Sequence, residues 1–413
     1  MDKLVKADKH VHGSVSAPVS KSVAHRMLIC AALADAPCRV YCRAVNDDID
    51  ATVRCLNAMG AVITFDNGCF EVTPIKEPSK EELLDCGESG STLRFLLPVA
   101  AALEADAVFD GRGRLPERPL SPLYELMSER GVGLSAKGRM PLVCKGRLTG
   151  ESFSIDGGVS SQFITGLLLA CPLMAESARV EITGRLESAP YIDITLDCLR
   201  SFGVRAQRQG NTITVSGSYR SPRELWVEGD WSSGAFWLSA GVLSKDEVSV
   251  SGLSQGSCQG DKKIISCLEA LGAEFTVDGQ TVTAHPSALK GCTLDCSDIP
   301  DLVPILSVAA AFARGETVFT NIARLRAKES DRVEAVCAML RSFGIETRSE
   351  ENTLTVIPSR ASGTRIDSFC DHRIAMSGAV LALSCGCDAV IENAQCVSKS
   401  YPDFFRDLEA LTR

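Results

Sequence analysis

The stretch Leu199-Arg200-Ser201-Phe202-Gly203-Val204 returns later in the chain as Leu340-Arg341-Ser342-Phe343-Gly344-Ile345. Three looser copies contain Gly60, Gly131 and Gly272, so the five glycines are separated by 71, 72, 69 and 72 residues. Such regular spacing indicates one structural unit repeated along the chain. Each copy has the pattern of a helix that ends at a glycine with left-handed backbone, and the alternating segment that follows is typical of a short hairpin.

A second helix precedes the first one in every unit. It begins at a polar cluster and then becomes apolar, as in Ser20-Lys21-Ser22 before Met27-Leu28-Ile29. Six such starts occur, at residues 20–22, 89–91, 160–162, 232–233, 300–301 and 371–373. The 413 residues therefore hold six units, of which the last lacks its final hairpin. We expect the segment from Lys3 to Val11 to supply the missing strand.

Six units divide most simply into three and three at the linker-like stretch from Ser218 to Arg223. The predicted fold class is α/β, with two similar domains that each contain three repeated α/β units. The first domain comprises residues 14–222, and the second combines residues 1–13 with 223–413. Apolar helices such as the one from Phe163 to Leu173 have little polar face, so a threefold bundle of them is expected inside each domain.

Composition and charge exclude several classes of protein. With 45% hydrophobic and 23% charged residues the chain is globular, and Pro98 and Pro172 interrupt apolar stretches that are too short to cross a membrane. The net charge of -9 argues against a sequence-independent nucleic-acid binder. The segment from Met1 to Lys6 lacks the apolar core of a signal peptide, so a cytoplasmic location is expected.

Eighteen cysteines would indicate disulfide bonds in a short secreted protein, but this chain is long. We expect reduced thiols that are mostly buried and act as small hydrophobic side chains. The spacings Cys292/Cys296 and Cys385/Cys387 lack a second pair or a nearby histidine, so no metal site is predicted.

Polar residues at the six helix starts point to anion binding. A helix N-terminus presents unpaired N–H groups and partial positive charge, although for any single start capping by Ser or Asp is the better explanation. Cations accompany the starts of this acidic chain, namely Lys21, Arg26, Arg94, Arg118, Arg332, Arg373 and Lys399. Six starts in register, with these cations, predict a shared cleft for ligands that carry several negative charges.

Seven motifs, in order along the chain, carry a resemblance to a known family. They are Pro18-Val19-Ser20-Lys21-Ser22-Val23-Ala24-His25-Arg26, Gly87-Glu88-Ser89-Gly90-Ser91-Thr92-Leu93-Arg94, Glu117-Arg118-Pro119, Ser160-Ser161-Gln162-Phe163, Ala327-Lys328-Glu329-Ser330-Asp331-Arg332, Asp371-His372-Arg373-Ile374-Ala375-Met376 and Lys399-Ser400-Tyr401-Pro402-Asp403. Together they resemble the 5-enolpyruvylshikimate-3-phosphate synthases. The resemblance implies the six-unit enolpyruvyl transferase fold, of inside-out α/β barrel type, with the active site in the interdomain cleft. It also implies transfer of enolpyruvyl from phosphoenolpyruvate to the 5-hydroxyl of shikimate 3-phosphate, with release of phosphate through a tetrahedral intermediate.

The same resemblance implies roles for particular residues. Asp301, Glu329 and Lys21 are the implied catalytic groups, and the division of acid and base roles among them stays open. Residues implied to bind shikimate 3-phosphate are Lys21, Ser22, Arg26, Ser160, Ser161, Gln162, Ser188, Asp301, Arg324 and Lys328. Residues implied to bind phosphoenolpyruvate are Lys21, Gly90, Arg118, Gln162, Arg332, Arg373 and Lys399. The two substrates are the expected partners of a monomer, with no cofactor, metal, nucleic acid or membrane.

Three positions leave alternatives open. Glu88 stands where many members of the family carry Asn, and it either turns away from the anion site or pairs with a cation such as Arg118. Arg324 also replaces a frequent Asn, and it either strengthens the grip on the shikimate phosphate or points outward. Tyr191 either packs on the shikimate ring or belongs to the core.

Two other functions compete with this interpretation. The related transferase that acts on a UDP-amino sugar typically has Lys-Asn in place of Lys21-Ser22, and a loop cysteine that residues 111–119 lack here. A non-catalytic repeat scaffold is opposed by the cations at the helix starts. In the resembling family glyphosate competes with phosphoenolpyruvate, and Gly90 is expected to leave room for it, although Phe95 replaces a proline that is common in sensitive members.

Overall fold

A computed structural model describes residues 1–6, 10–135, 137 and 139–412 of the chain. The chain forms two compact units. The continuous unit is Val19–Val227, and the two-segment unit combines Met1–Pro18 with Glu228–Arg413. The domain boundaries predicted from the sequence, after residues 13 and 222, lie a few residues before these.

The first half of the chain contains three repeats. The elements up to the end of the first repeat are β1 (Lys3–Val5), β2 (Gly13–Ser16), α1 (Lys21–Ala32), β3 (Cys38–Tyr41), α2 (Asp47–Ala58), β4 (Val62–Asp66) and β5 (Cys69–Thr73). The second repeat contains β6 (Leu83–Asp85), α3 (Gly90–Ala102), β7 (Val108–Asp110), α4 (Leu123–Glu129), β8 (Gly133–Leu134) and β9 (Leu142–Lys145). The third contains β10 (Ser152–Asp156), α5 (Ser161–Met174), β11 (Ser177–Thr183), α6 (Ala189–Ser201), β12 (Arg205–Gln209) and β13 (Thr212–Ser216).

The second half repeats the same order of elements. The fourth repeat contains β14 (Glu224–Trp226), α7 (Trp231–Leu243), β15 (Val248–Ser251), α8 (Ile264–Ala270), β16 (Glu274–Asp278) and β17 (Thr281–His285). The fifth contains β18 (Thr293–Asp295), α9 (Val303–Ala311), β19 (Thr317–Thr320), α10 (Arg332–Arg341), β20 (Glu346–Ser349) and β21 (Thr353–Ile357). The sixth contains β22 (Arg365–Asp367), α11 (His372–Cys385), β23 (Ala389–Glu392) and α12 (Phe404–Leu411). Four 3₁₀ segments lie at Leu115–Glu117, Gly260–Lys263, Ala323–Ala327 and Ala394–Lys399.

The second, third and fifth repeats each form a four-stranded sheet with the same connections. In the third repeat β10 pairs in parallel with β11 across α5, and the hairpin β12–β13 adds through the antiparallel pair β11–β13. The sheets of the second and fifth repeats have the equivalent orders, β6-β7-β9-β8 and β18-β19-β21-β20. The hairpins predicted after the five glycines are therefore confirmed.

The helix ends are set by glycines with left-handed backbone, as the sequence predicted. The φ angles are 105° at Gly60, 91° at Gly131, 76° at Gly203, 100° at Gly272 and 74° at Gly344. Side chains are strained in this region of φ, and at Gly60 a Cβ atom would also lie only 2.9 Å from the carbonyl oxygen of Glu77. Each glycine thus lets the chain leave its helix and turn directly into the hairpin.

Two of the sheets take their first strand from a distant part of the sequence. In the continuous unit β14, near residue 225, pairs in parallel with β3 of the first repeat. In the two-segment unit the N-terminal strand β2 pairs in parallel with β15 of the fourth repeat. The first pairing joins the two ends of the continuous unit, and the second joins the two segments of the two-segment unit.

The N-terminal strand β1 completes the sixth repeat. Lys3 pairs with Ile391 and Val5 with Ala389 in the antiparallel register of β1 and β23. The expected contribution of the N-terminus to the last unit is thus confirmed for Lys3–Val5, whereas residues 7–9 of the predicted segment lie outside the described residues.

Apolar helices fill the interior of each unit, as predicted. In the two-segment unit α7, α9 and α11 pack against one another. In the continuous unit α3 and α5 lie so close that a Cβ atom on Gly166 would come within 2.2 Å of the carbonyl oxygen of Arg94. Helix α1 joins them through its side chains, since His25 meets Phe95 edge-on and Arg26 lies over the same ring. The polar N-terminal residues of these helices therefore gather near the core of each unit.

Candidate active site

One buried guanidinium organises the predicted catalytic carboxylates of the two-segment unit. Arg332, the first residue of α10, is 1% exposed. Its Nη1 donates to Asp301 at 2.8 Å, its Nη2 to Glu329 at 2.6 Å and its Nε to Asp371 at 2.9 Å. Burial alone would lower the pKa of Arg332, but the three carboxylates raise it above its ordinary value. Asp301 and Glu329 therefore share one permanently charged partner.

Asp301 is in contact with three of the predicted cations. Besides Arg332, Arg373 donates from Nη2 to Asp301 Oδ2 at 3.0 Å, and Lys328 Nζ lies 3.6 Å from Asp301 Oδ1. The sequence placed Asp301 at a helix start, but α9 begins two residues later at Val303. The difference reflects Pro304, which lacks an N–H group and suits the first turn of a helix.

Lys328 has an environment that favours its neutral form. Burial lowers the pKa of Lys328 to about 8, with Arg332 and Arg324 acting in the same direction and Asp301 opposing them. Arg324 itself donates from Nη2 to the carbonyl oxygen of Ser297, in the loop before α9. A ligand anion beside Lys328 would raise its pKa again and so stabilise its positive charge.

Asp371 fixes the start of α11 from a fully buried position. Its Oδ1 accepts the N–H of Arg373 at 2.9 Å, and its Oδ2 accepts the hydroxyl of Ser330 at 3.0 Å. Burial would raise the pKa of Asp371, but Arg332 more than offsets this effect and the pKa lies below its ordinary value. The predicted ligand Lys399 lies nearby and donates from Nζ to the carbonyl oxygen of Cys370 at 3.1 Å.

A further acid lies close to Asp301. Asp261 is buried and accepts a hydrogen bond from Ser232, the second residue of α7. Burial, and then the negative charge of Asp301, raise the pKa of Asp261 to about 7. This carboxyl group therefore titrates near neutral pH.

In the continuous unit Lys21 opens α1 and is held by one carboxylate. Its Nζ lies 2.9 Å from Asp48 Oδ2, and both side chains are mostly buried. Asp48 belongs to the first turn of α2, whose start is capped by Asn46. The pair fixes the ammonium group of Lys21 between the starts of two helices.

Arg26 has neutral partners, in contrast to Arg332. Its Nε donates to Thr195 at 2.8 Å, its Nη2 to the carbonyl oxygen of Tyr191 at 3.0 Å and its Nη1 to that of Ser22 at 2.7 Å. Burial lowers the pKa of Arg26 to about 10. The structure thus brings Arg26, Ser22 and Tyr191 together, while the roles of their side chains toward a ligand stay predictions.

The predicted residues at the start of α5 connect it to α3. Ser160 caps α5 by accepting the N–H of Gln162 at 3.3 Å. The side chain of Gln162 accepts from Arg94 at 2.6 Å and donates to Ser91 at 2.9 Å. Ser161 is the first, buried residue of α5, and Ser188 precedes α6 with a left-handed φ of 57°. Gln162 is therefore held in a single orientation.

Gly90 opens α3 directly beside Arg118. A Cβ atom on Gly90 would lie 2.7 Å from Arg118 Nη1, so the missing side chain makes room for this guanidinium. Glu88 lies close by, and its carboxyl group is against Gly113, where a Cβ atom would be 2.6 Å from Glu88 Cδ.

The structure shows the state of the cysteines and the length of the helices. All eighteen cysteines are free and most are buried. Within the described ranges, no three or more His, Cys, Asp or Glu side chains are grouped so that they could hold a metal ion. A helix long and apolar enough to cross a membrane is likewise absent from the described part of the chain.

Three carboxylates that contact or lie close to the predicted site residues were not predicted from the sequence. Asp371 stood in a quoted motif but was given no role, and Asp48 and Asp261 were not mentioned. The acidic run 47–50 after Asn46 is a recognisable helix start that could have drawn attention to Asp48. No comparable signal marks Asp261, because its proximity to Asp301 arises only from tertiary packing.

Comparisons with known proteins identify the family. A family profile described as EPSP synthase (3-phosphoshikimate 1-carboxyvinyltransferase) matches residues 5–408. The 3-phosphoshikimate 1-carboxyvinyltransferase of Clostridium acetobutylicum is 38% identical over 408 residues, covering 97% of this chain and 95% of that protein. A relative of the same description from Clostridium perfringens is 37% identical over 419 residues, covering 100% and 98%.

Solved structures support the same assignment. The EPSP synthase of Acinetobacter baumannii superposes with a TM-score of 0.82 at 25% identity, covering 100% of this chain and 98% of that one. The enolpyruvyl transferase NikO of Streptomyces tendae superposes with a TM-score of 0.78 at 19% identity, covering 99% and 96%, and supports the fold alone. The predicted six-unit fold is therefore confirmed as that of the enolpyruvyl transferases. The chain belongs to the EPSP synthase (3-phosphoshikimate 1-carboxyvinyltransferase) family.

The substitution Asp371→Asn should destabilise the protein in a pH-dependent way. At pH 7 we expect the free energy of unfolding to fall by about 3 kcal/mol, because Arg332 loses one of its buried carboxylates. The pKa of Asp371 is depressed in the folded protein, so its contribution is present above about pH 4 and is lost as pH falls through the folded value. The difference from wild type should thus be equal at pH 7 and 5 and smaller at pH 3.5.

Urea unfolding at the three pH values measures this effect. The control Glu316→Gln removes an exposed ion pair with Arg348 and should change the free energy of unfolding by less than about 0.5 kcal/mol. A difference for Asp371→Asn that grows as the pH falls would contradict the depressed pKa of Asp371.

Proposed function

We propose that this protein transfers the enolpyruvyl group of phosphoenolpyruvate to the 5-hydroxyl of shikimate 3-phosphate and releases phosphate. Family membership over nearly the whole chain supports this activity. The observation that carries the chemistry is the pair of carboxylates, Asp301 and Glu329, held on one buried guanidinium. This pair offers two sites of proton transfer beside one fixed positive charge, which addition and elimination both require.

The proposed reaction has two steps that balance. In the addition, the substrate hydroxyl forms a bond to C2 of phosphoenolpyruvate and loses its proton, while C3 gains a proton. In the elimination, C3 loses a proton, the bond from C2 to the phosphate oxygen breaks and the double bond returns. We place Asp301 beside the hydroxyl and Glu329 near C3, with Lys21 as the third group, and leave the division of acid and base roles open.

We propose that a set of cations and two neutral residues bind phosphoenolpyruvate. The cations are Lys21, Arg118, Arg332, Arg373 and Lys399, and the neutral residues are Gly90 and Gln162. Guanidinium groups suit this ligand, because they bind carboxylate and phosphate through paired hydrogen bonds. The close contact of Gly90 with Arg118 supports placing an anion at the start of α3.

For shikimate 3-phosphate we propose serine hydroxyls and separate cations. The set contains Ser22, Arg26, Ser160, Ser161, Gln162, Ser188, Asp301, Arg324 and Lys328, again with Lys21. Ser160 and Ser161 lie at the start of α5, where hydroxyl and N–H groups suit a phosphate. The hydrogen bond of Arg324 to Ser297 favours a supporting role for it in the loop before Asp301.

We further propose that the enzyme works as a cytoplasmic monomer. The free state of all eighteen cysteines supports a reducing compartment. Every proposed site residue belongs to a single chain, which is compatible with a monomer.

An assay of phosphate release tests the proposed activity. Wild-type enzyme should release phosphate from phosphoenolpyruvate with shikimate 3-phosphate, and not with a UDP-amino sugar as the acceptor. Asp301→Asn and Glu329→Gln should each lower kcat at least about a hundredfold, because proton transfer is lost in the transition state. Glu316→Gln, at an exposed pair, is the matched control and should retain wild-type activity. Turnover with the amino-sugar nucleotide instead would overturn the proposal.

The pKa of Lys328 predicts a pH dependence of substrate binding. Lys328 loses its charge as the pH rises through about 8, whereas the substrate phosphate is already a dianion there. The KM for shikimate 3-phosphate should therefore rise above pH 8. In Lys328→Arg the rise should disappear, because a guanidinium keeps its charge. Steady-state kinetics from pH 6.5 to 9.5 measure this, and an equal rise in both enzymes would assign the effect to another group.

The substitution Gly90→Ala should weaken inhibition by glyphosate. The added methyl group would meet Arg118 at less than contact distance and force its guanidinium aside. We expect the inhibition constant of glyphosate, competitive with phosphoenolpyruvate, to rise at least about tenfold, and the KM for phosphoenolpyruvate to rise less, because the longer inhibitor needs more of the space. Gly256→Ala, where the nearest atom is 3.9 Å away, is the control. Unchanged inhibition in Gly90→Ala would place glyphosate elsewhere.

A further inference from the structure

A chain of buried side chains runs from α1 to the start of α3. His25 Nδ1 lies 2.7 Å from Thr52 Oγ1, which lies 2.7 Å from Thr92 Oγ1. Thr92 in turn donates its hydroxyl to Ser89 Oγ at 2.7 Å. All four side chains are at most 1% exposed. None of the four is assigned a role by the proposed mechanism.

The direction of these hydrogen bonds follows from counting protons. Each hydroxyl has a single hydrogen to donate. Thr92 uses its hydrogen toward Ser89 Oγ, or toward the carbonyl oxygen of Asp48 at 3.5 Å, and so accepts from Thr52. Thr52 must then accept from His25, which places the hydrogen of the ring on Nδ1.

The environment of His25 keeps its ring neutral. Burial, followed by the charges of Lys21 and Arg26, lowers the pKa of His25 well below its ordinary value. Nε2 is buried, and no hydrogen-bond partner for it occurs among the described residues. A neutral ring with its hydrogen on Nδ1 leaves Nε2 as a bare acceptor, so no buried N–H donor lacks a partner.

The far end of the chain is the first turn of α3. Ser89 caps this helix by accepting the N–H of Thr92 at 3.2 Å. The next residue, Gly90, is the one that lies against Arg118. The side chain of Asp48, whose carbonyl oxygen lies 3.5 Å from the hydroxyl of Thr92, holds Lys21. The chain of hydrogen bonds therefore connects α1 and α2 to the N-terminal turn of α3.

We propose that His25, Thr52 and Thr92 are positioning residues that fix the cap Ser89, and with it the start of α3, for phosphoenolpyruvate. This proposal rests on the proposed function, which places that substrate at Gly90 and Arg118. The three residues touch no substrate. They act by giving the first turn of α3 one position, so that its N–H groups and Arg118 meet the anion without rearrangement.

A second pair of threonines provides a matched comparison. Thr165 and Thr195 lie 2.9 Å apart, and both accept hydrogen bonds from Arg26, at 3.3 Å and 2.8 Å. Their hydroxyls are as deeply buried as those of Thr52 and Thr92. They support a residue proposed to bind shikimate 3-phosphate, so removing them should affect the other substrate.

Steady-state kinetics test the proposal by separating the two substrates. Thr52→Val and Thr92→Val keep the shape of the side chain and remove two buried hydrogen bonds each. Each substitution should raise the KM for phosphoenolpyruvate at least about tenfold. The kcat and the KM for shikimate 3-phosphate should stay within about twofold of wild type, because Arg26 and its partners are unchanged. Thr195→Val should do the reverse, and Thr52→Ser should restore wild-type values.

An NMR experiment reports directly on this chain of hydrogen bonds. With only five histidines, ¹⁵N-histidine labelling of the whole protein resolves the rings, and His25→Gln assigns the signal of His25. We expect a neutral ring with the hydrogen on Nδ1 that does not titrate between pH 6 and 9. In Thr52→Val the Nδ1–H loses its acceptor, so the tautomer population should shift toward Nε2–H.

The following results would overturn the proposal or the proposed function on which it rests. A wild-type His25 that titrates near pH 6.5 or carries its hydrogen on Nε2 overturns the proposal. Equal changes of both KM values in Thr52→Val, Thr92→Val and Thr195→Val also overturn it, since they would indicate a general loss of structure. A wild-type protein inactive with shikimate 3-phosphate would instead overturn the proposed function, and with it the assignment of a substrate to this chain of hydrogen bonds.

Discussion

The arrangement of the two-segment unit depends on a single buried arginine. Arg332 donates at once to Asp301 before α9, to Glu329 before α10 and to Asp371 at the cap of α11. A buried guanidinium is costly unless its donors are used, and these three carboxylates would repel one another without it. The guanidinium and the three carboxylates therefore stabilise one another, and together they fix the positions of the three loops that carry the carboxylates. The two carboxylates proposed to carry out proton transfer owe their separation to this mutual stabilisation.

The continuous unit solves a similar problem with neutral groups. Arg26 is as deeply buried as Arg332, but its partners are the hydroxyls of Thr165 and Thr195 and main-chain carbonyl oxygens. The consequence is electrostatic, since burial lowers the pKa of Arg26 whereas the carboxylates raise that of Arg332. Hydroxyl groups do not neutralise the charge of Arg26, so its positive potential can attract an anion. The positive potential of Arg332 is largely balanced by its three carboxylate neighbours. Repeats with the same backbone fold thus differ in the charge of the groups that surround a buried arginine.

Features that depend on only a few neighbouring residues, such as the ends of helices, were predicted from the sequence and are found in the structure. Gly344 and its counterparts end their helices with left-handed backbone, since that geometry is decided within a few residues. The pairings of β14 with β3 and of β2 with β15 were not foreseen, although the strand supplied by Lys3–Val5 was. These strands have only three or four residues, and polar and apolar side chains alternate only weakly along them. Their pairing partners are therefore set by the tertiary fold of each unit and not by the local sequence pattern.

The six repeats, the helix starts and the presence of Lys21, Asp301 and Arg332 at or near those starts could be predicted from the amino-acid sequence, because periodicity and capping are local properties. Which side chains meet depends instead on how the helices pack. The contact of Asp48 with Lys21, and the hydroxyl chain that His25 begins, join residues of different helices. Such partners depend on how closely two helices approach, as where Gly166 lets α5 lie against α3, and burial then makes each polar contact obligatory.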